Sequence, residues 1–272
     1  MTRRGPFDRS ILSDVAHRPW PVPRSAWVLT QTWHDLLFAH WPVTPDALVP
    51  LVPPRFELDL FEGTAFIAVV PFYMSNVGIR GVPPLPGVSR FPELNVRTYV
   101  RVDDKPGVYF FSLDAASALA VATARTALNL PYHRAAMSLR EQDGEIHYRS
   151  ARRRDPSVEF RARYRPVGQA FHPREGSLAH FLTERYCLYN VDLRGRPYRL
   201  DIHHPRWTLQ AAECAIAQNT MARASGVTVV GPPPLLHFSR RQDVVAWMPV
   251  QLDTSNSNFV TRAGSSIAPP RA

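Results

Sequence analysis

The scarcest residue is the first guide to this sequence. Among 272 residues there is one lysine, Lys105, so arginine supplies the other 31 basic side chains and the chain has a single side-chain primary amine. Cysteine is nearly as rare. Cys187 and Cys214 are too few for a disulfide framework and lack the paired spacing of a zinc site. Long apolar runs are missing too: the first twenty residues hold no signal-peptide core, and the greasiest charge-free stretch, Gly63 to Ile79, is broken by Pro71, Ser75, Asn76 and Gly78. A cytoplasmic protein that does not cross a membrane is the expectation. No G-x-S-x-G, G-x-G-x-x-G or Walker pattern occurs, which removes the usual serine-hydrolase and nucleotide signatures, and no cofactor is expected.

What is present is globular. With 45% apolar residues, 11% aromatics and 20% charged residues the chain can bury a core, and the length suits one large domain. Prolines at 19, 21 and 23 predict an extended arm over 1–24, followed by the main domain over 25–250 and a polar tail over 251–272. Period-two alternation dominates that domain. Leu94, Val96, Thr98, Val100 and Val102 fall on one face of a strand, and Glu93, Asn95, Arg97, Tyr99 and Arg101 on the other. Further strands are expected at 64–73, 107–113, 132–139, 145–150, 158–164, 198–203 and 244–248, with Asp143-Gly144 as a hairpin turn. Two helices interrupt them, one capped by Asp114 and stopped by Pro131, the other capped by Ser177. The fold class is mainly β with few helices, a curved antiparallel sheet or barrel.

The formal charge of +9 is concentrated between Arg149 and Arg165, where seven arginines face two acidic residues. Arginines there alternate with Phe160, Ala162 and Tyr164, the pattern of a strand with one solvated face, and no nucleic-acid motif accompanies them. Neither nucleic acid nor membrane is expected as a partner; homo-oligomerisation stays open.

A more specific signal lies in FPELNVRTYVRVDDKPGVYFFSLDAASALAVATARTALNLPYHRAAM, Phe91 to Met137. It resembles the acetoacetate-decarboxylase-like superfamily. Together with FAHWPV from Phe38, PFYM from Pro71, SLDA from Ser112, LPY from Leu130 and TERY from Thr183, it resembles the YqjF-like branch, DUF2071. The resemblance implies a barrel-like sheet enclosing a pocket for a small organic ligand. It also places Pro131-Tyr132-His133 on the Pro-Lys-Lys of true decarboxylases, whose first lysine forms the Schiff base. Tyrosine cannot do so. Lys105, in an Asp-Asp-Lys-Pro-Gly turn, is expected to be solvated and paired with its acidic neighbours, so Schiff-base decarboxylation is excluded.

The resemblance keeps Glu93 as the acidic residue opening the first strand. If the polar strand face lines the pocket, Glu93 moves a proton, Arg97 clamps an anion beside Asn95, and Tyr132 faces them from across the barrel. The other reading is a buried Glu–Arg brace or the wet face of an edge strand. His40 and Trp41 are expected near the pocket mouth, and Arg125 on the first helix is expected to be structural first, with a ligand contact second. Ten histidines lack metal-ligand spacing, so no metal is expected. Two functions remain: a lyase, hydratase or isomerase that works without a Schiff base on a small carboxylate or carbonyl compound, or a protein that binds or senses a small acid without turnover.

Overall fold

The computed structural model describes residues 5–82, 89–118, 121–122 and 128–253. Its strands are β1 Leu29–Val43, β2 Glu57–Leu58, β3 Ala65–Ile79, β4 Phe91–Val102, β5 Lys105–Ala115, β6 Tyr132–Gln142 and β7 Glu145–Arg152. They continue as β8 Glu159–Phe171, β9 Cys187–Val191, β10 Pro197–His203, β11 Leu209–Asn219, β12 Leu235–Ala246 and β13 Val250–Gln251. All join one 13-stranded sheet. Two-residue turns set the register of its tightest hairpins. Asp143 and Gly144 link β6 to β7 with φ of 51° and 77°, and Asp103 and Asp104 link β4 to β5 with φ of 49° and 60°, the left-handed pair that matches strand twist.

Two strands fork. One edge of β5 pairs with β4, while its other edge pairs in parallel with β9 at Val108–Tyr109 and with β6 at Leu113–Ala115. One edge of β12 pairs with β1, and the other meets β11 at His237 and Phe238 and β10 at Val245 and Ala246. The forks close two hydrogen-bonded rings. The smaller runs β10–β9–β5–β4–β3–β1–β12 and back to β10; the larger runs β5–β6–β7–β8–β11–β12–β1–β3–β4 and back to β5. The expected antiparallel sheet is therefore antiparallel except at β5. There the chain reaches β6 and β9 through long crossovers rather than hairpins, which is what parallel pairing requires.

The shared strands are buried on both faces, which explains apolar runs such as AFIAVVPF at 65–72. Along β1, Leu36 and Phe38 point into the smaller ring, and Leu37, Ala39 and Trp41 into the larger. The larger ring is filled by Tyr148, Phe160, Tyr164, Phe238 and their aliphatic neighbours. The segment expected to be an arm lies against the sheet: Ile11 packs on Val245 and Trp247, and Arg18 Nη1 donates to Ile202 O at 2.7 Å. No helix among the described residues is long and apolar enough to cross a membrane.

Several local expectations change. Asp114 caps no helix; it is the buried penultimate residue of β5, and Arg152 Nε donates to its two oxygens at 3.0 and 3.2 Å. A carboxylate followed by alanines has the pattern of a cap, but the arginine on β7 captures it. Lys105 opens β5 and, among the described residues, makes no ion pair with Asp103 or Asp104. Arg55 takes Asp103 instead, at 3.0 Å. Ser177 does cap a helix, Leu178–Thr183, with Oγ accepting from His180 N at 3.3 Å. Arg125 and the tail from Thr254 lie outside the described residues.

Candidate functional site

The smaller ring is not filled. A cavity of about 90 Å³ remains inside it, lined by all seven of its strands. Sheet alternation on β4 aims Glu93, Asn95 and Arg97 at this space while Leu94 and Val96 pack in the larger ring. All three polar residues are buried. Only Arg101, near the end of the strand, reaches solvent, where its Nη2 donates to Asp59 Oδ1 at 2.8 Å.

Tyr132 joins them because of the β5 fork. The first residue of β6, it pairs with Leu113 of β5, which pairs with Asn95 of β4. The tyrosine thus stands beside Glu93 on the same wall of the ring, not across it as expected, and its hydroxyl donates to Glu93 Oε2 at 2.9 Å. Burial of Glu93 pushes its pKa up to about 8; hydrogen bonds from Tyr132 and Asn95 oppose the shift, and the Asp114 charge adds to it. At neutral pH Glu93 carries a proton. Burial, then the neighbouring Glu93, pushes the Tyr132 hydroxyl up as well. Tyr148 braces the strand from the other ring, its hydroxyl donating to Glu93 O at 2.6 Å.

Arg97 is a buried cation without an anion. Its Nη2 donates to Leu182 O at 3.3 Å, its guanidinium carbon lies 5.2 Å from the Phe38 ring centre and 5.7 Å from that of Tyr99, and Nε has no partner. Among the described residues no carboxylate pairs with it. The second cavity-lining guanidinium, Arg185, pairs with Asp59, which it shares with Arg101, so Arg97 is the cavity-lining guanidinium without a carboxylate among the described residues. Apart from Gln31, Thr183 and His204, the remaining wall is apolar and aromatic. Trp207 stacks on Trp33 with centroids 6.0 Å apart, meets Phe38 edge-on at 4.9 Å, and leaves its indole N–H unpartnered.

His40 and Trp41 do not line the cavity. His40 is fully buried behind Phe38, with Nε2 2.7 Å from Tyr99 Oη, and burial followed by the charge of Arg97 holds its pKa well below the usual range. Trp41 faces the other ring, its indole donating to Gly231 O at 3.2 Å. Sequence reasoning missed Arg185, His204 and Trp207 as lining residues. Arg185 was visible only within the TERY motif and His204 only as half of a histidine pair; Trp207 carried no signal. Among the described residues no group of three or more His, Cys, Asp or Glu gathers as a metal site would need, and no lysine lines the cavity.

Comparison with known proteins supports the same architecture. Over 86–90% of this chain, solved acetoacetate decarboxylases and an acetoacetate decarboxylase-like enzyme share the fold at 13–15% identity. The enduracididine biosynthesis enzyme MppR complexed with pyruvate matches with a TM-score of 0.61 at 10% identity, covering 88% of this chain and 98% of that one. Acetoacetate decarboxylase from Legionella pneumophila gives 0.53 at 15% identity, covering 86% and 93%. At such identities the likeness is one of fold. In sequence, the uncharacterized protein YqjF of Bacillus subtilis (strain 168) is 47% identical over 226 residues, 83% of this chain and 93% of that protein. The profile of DUF2071, an uncharacterized conserved protein, matches residues 30–243, so this chain, which carries the forked strands and every residue of the cavity wall within or beside that span, belongs to the DUF2071 family.

Proposed function

We propose that the smaller ring binds a small carboxylate or carbonyl compound and transfers a proton to or from it, as a lyase, hydratase or isomerase that works without a Schiff base. The observation that carries this reading is Arg97: a buried guanidinium with no carboxylate partner is costly, and an anionic ligand beside it removes that cost. A carboxylate on Arg97 would lie among groups on the Glu93 and Tyr132 wall. Glu93, protonated at neutral pH, is the proton donor, as a neutral carboxylic acid held in an apolar site can be. Tyr132, hydrogen-bonded to it, orients the carboxyl group. A cavity of about 90 Å³ is small, which supports a ligand of few non-hydrogen atoms. The pyruvate named with MppR is of that size class, and the shared fold makes it a sensible probe.

The test is a thermal-shift and turnover screen of the full chain against small keto acids, hydroxy acids and aldehydes. A ligand at about 100 times its Kd stabilises the fold by about 2.7 kcal/mol. Arg97→Gln should abolish that shift for acids, whereas Glu93→Gln should keep the shift and abolish turnover. Binding with no compound consumed would leave a small-acid binding or sensing role and remove the proton-transfer step.

A further inference from the structure

A second concavity lies on the outside of the larger ring, across β6, β7, β8 and β11. It is a depression of about 720 Å³ whose walls include Arg140, His147, Arg149, Arg161 and Arg163. Their common face follows from register. Arg149 is directly opposite Arg161, His147 is opposite Arg163 on one side and Arg140 on the other, while Tyr148, Phe160 and Ala162 between them point inward. Like charges directly opposite on neighbouring strands repel, so this arrangement costs stability when nothing lies between them.

Other arginines of these strands find carboxylates. Arg165 on β8 pairs with Glu213 on β11 at 2.6 Å, and within the depression Arg163 lies 3.6 Å from Glu145, which also faces His147. Among the described residues Arg140, Arg149 and Arg161 have no such partner. Ser138, Ala215 and Ala217 keep the neighbouring positions short, leaving the guanidinium groups room to converge. Neighbouring strands are about 4.8 Å apart, so the heads of Arg149 and Arg161 can close on a single anion with bidentate hydrogen bonds.

We propose that this depression binds a compact polyphosphate, two or more linked phosphates, either free or carried on a nucleotide. Several guanidinium groups on one small patch match an anion of high charge density. Among the described residues the depression presents no exposed aromatic ring for base stacking and no helix to enter a groove, so its guanidinium groups suit a phosphate cluster better than an extended nucleic acid. The site is separate from the ring interior and does not depend on the function proposed for it.

Isothermal titration of the full chain with inorganic pyrophosphate, ADP and sulfate at matched ionic strength tests the idea. One saturable site is expected, with pyrophosphate about tenfold or more tighter than sulfate. Arg149→Thr with Arg161→Thr should weaken pyrophosphate about tenfold or more, whereas Arg165→Thr, on the same strand but paired with Glu213, should leave it unchanged. Equal affinities for ADP and pyrophosphate would assign the phosphates to a nucleotide-compatible site, and weaker ADP binding to free polyphosphate. If the double variant does not fold, Arg140→Thr reads the same site and should cost about threefold or more. Pyrophosphate binding no tighter than sulfate, wild-type affinity in the variants, or preferential binding of single-stranded RNA would each overturn the proposal.

Discussion

Tyr132 donates its hydroxyl hydrogen to Glu93 Oε2 at 2.9 Å, joining residues that are 39 positions apart and on strands that do not pair with each other. β5, which pairs with both, brings them together. A carboxyl so buried, with only neutral hydrogen-bond partners in Tyr132 and Asn95 to oppose the shift, holds its proton into the neutral range. Three expectations follow from this arrangement and from the forks that create it.

Stability should depend on pH through Glu93. Its folded pKa is raised from 4.5 to about 8, so between those values the unfolded chain releases a proton that the folded chain keeps. The stability present below pH 4.5 is therefore lost as pH rises through about 8. Glu93→Gln cannot titrate. The difference in urea-unfolding free energy between Glu93→Gln and wild type should grow in favour of the variant across this window, by an amount of order a few kcal/mol. A difference that stays flat from pH 5 to pH 9 would show that the folded carboxyl titrates normally.

The Asp114 and Arg152 pair should behave as a buried ion pair. Burial raises Asp114 to about 6 and the Arg152 charge opposes the shift. Arg152→Met alone leaves a buried carboxylate and should cost about 3–5 kcal/mol at neutral pH. Asp114→Leu combined with Arg152→Met should cost much less than the sum of the single changes. A double-mutant cycle by urea denaturation measures the coupling, and additive costs would mean that the two charges do not stabilise one another.

Gly107 should be the position at which the smaller ring tolerates no side chain. It precedes the two residues of β5 that pair with β9, and a Cβ there would stand 2.6 Å from Tyr189 Cε2 and 2.8 Å from both Cys187 O and Cys187 Sγ. Gly107→Ala should cost about 1–3 kcal/mol by overpacking and loosen the β5–β9 join. Gly144→Ala meets open space and should cost only the strain of its φ of 77°, about 1 kcal/mol. Hydrogen exchange at Val108 and Leu188 would locate the loosening. Protection unchanged in Gly107→Ala would mean that the join absorbs the methyl group.

Much of the sheet was legible in the sequence. The hairpin at Asp143-Gly144 and the alternation along β4, β7 and β8 reflect local rules, in that side chains alternate across a strand and left-handed turn residues are few; the Asp-Asp-Lys-Pro-Gly turn is shorter than expected, confined to Asp103-Asp104. β11 was missed because LQAAECAIAQN alternates alanine with helix-favouring residues and buries its inner face only by half, so its apolar contrast is weak. β3 was expected as a strand over 64–73 and reads as an apolar run because both of its faces are interior, whereas β1, which mixes Thr30, Gln31, Thr32, His34 and Asp35 with apolar residues, was not among the expected strands.

The sequence by itself determined that the chain has one lysine, with a tyrosine at 132, and that Glu93, Asn95 and Arg97 share a face, since residue identity and strand period are local properties. Tertiary structure alone decided that this face is the inside of a ring, that Tyr132 stands beside Glu93 rather than opposite it, that Arg185, His204 and Trp207 complete the wall, and that His40 and Trp41 do not. Ring closure at β5 and β12 joins residues whose separation along the chain is long, and no local periodicity encodes which strands will meet at a fork.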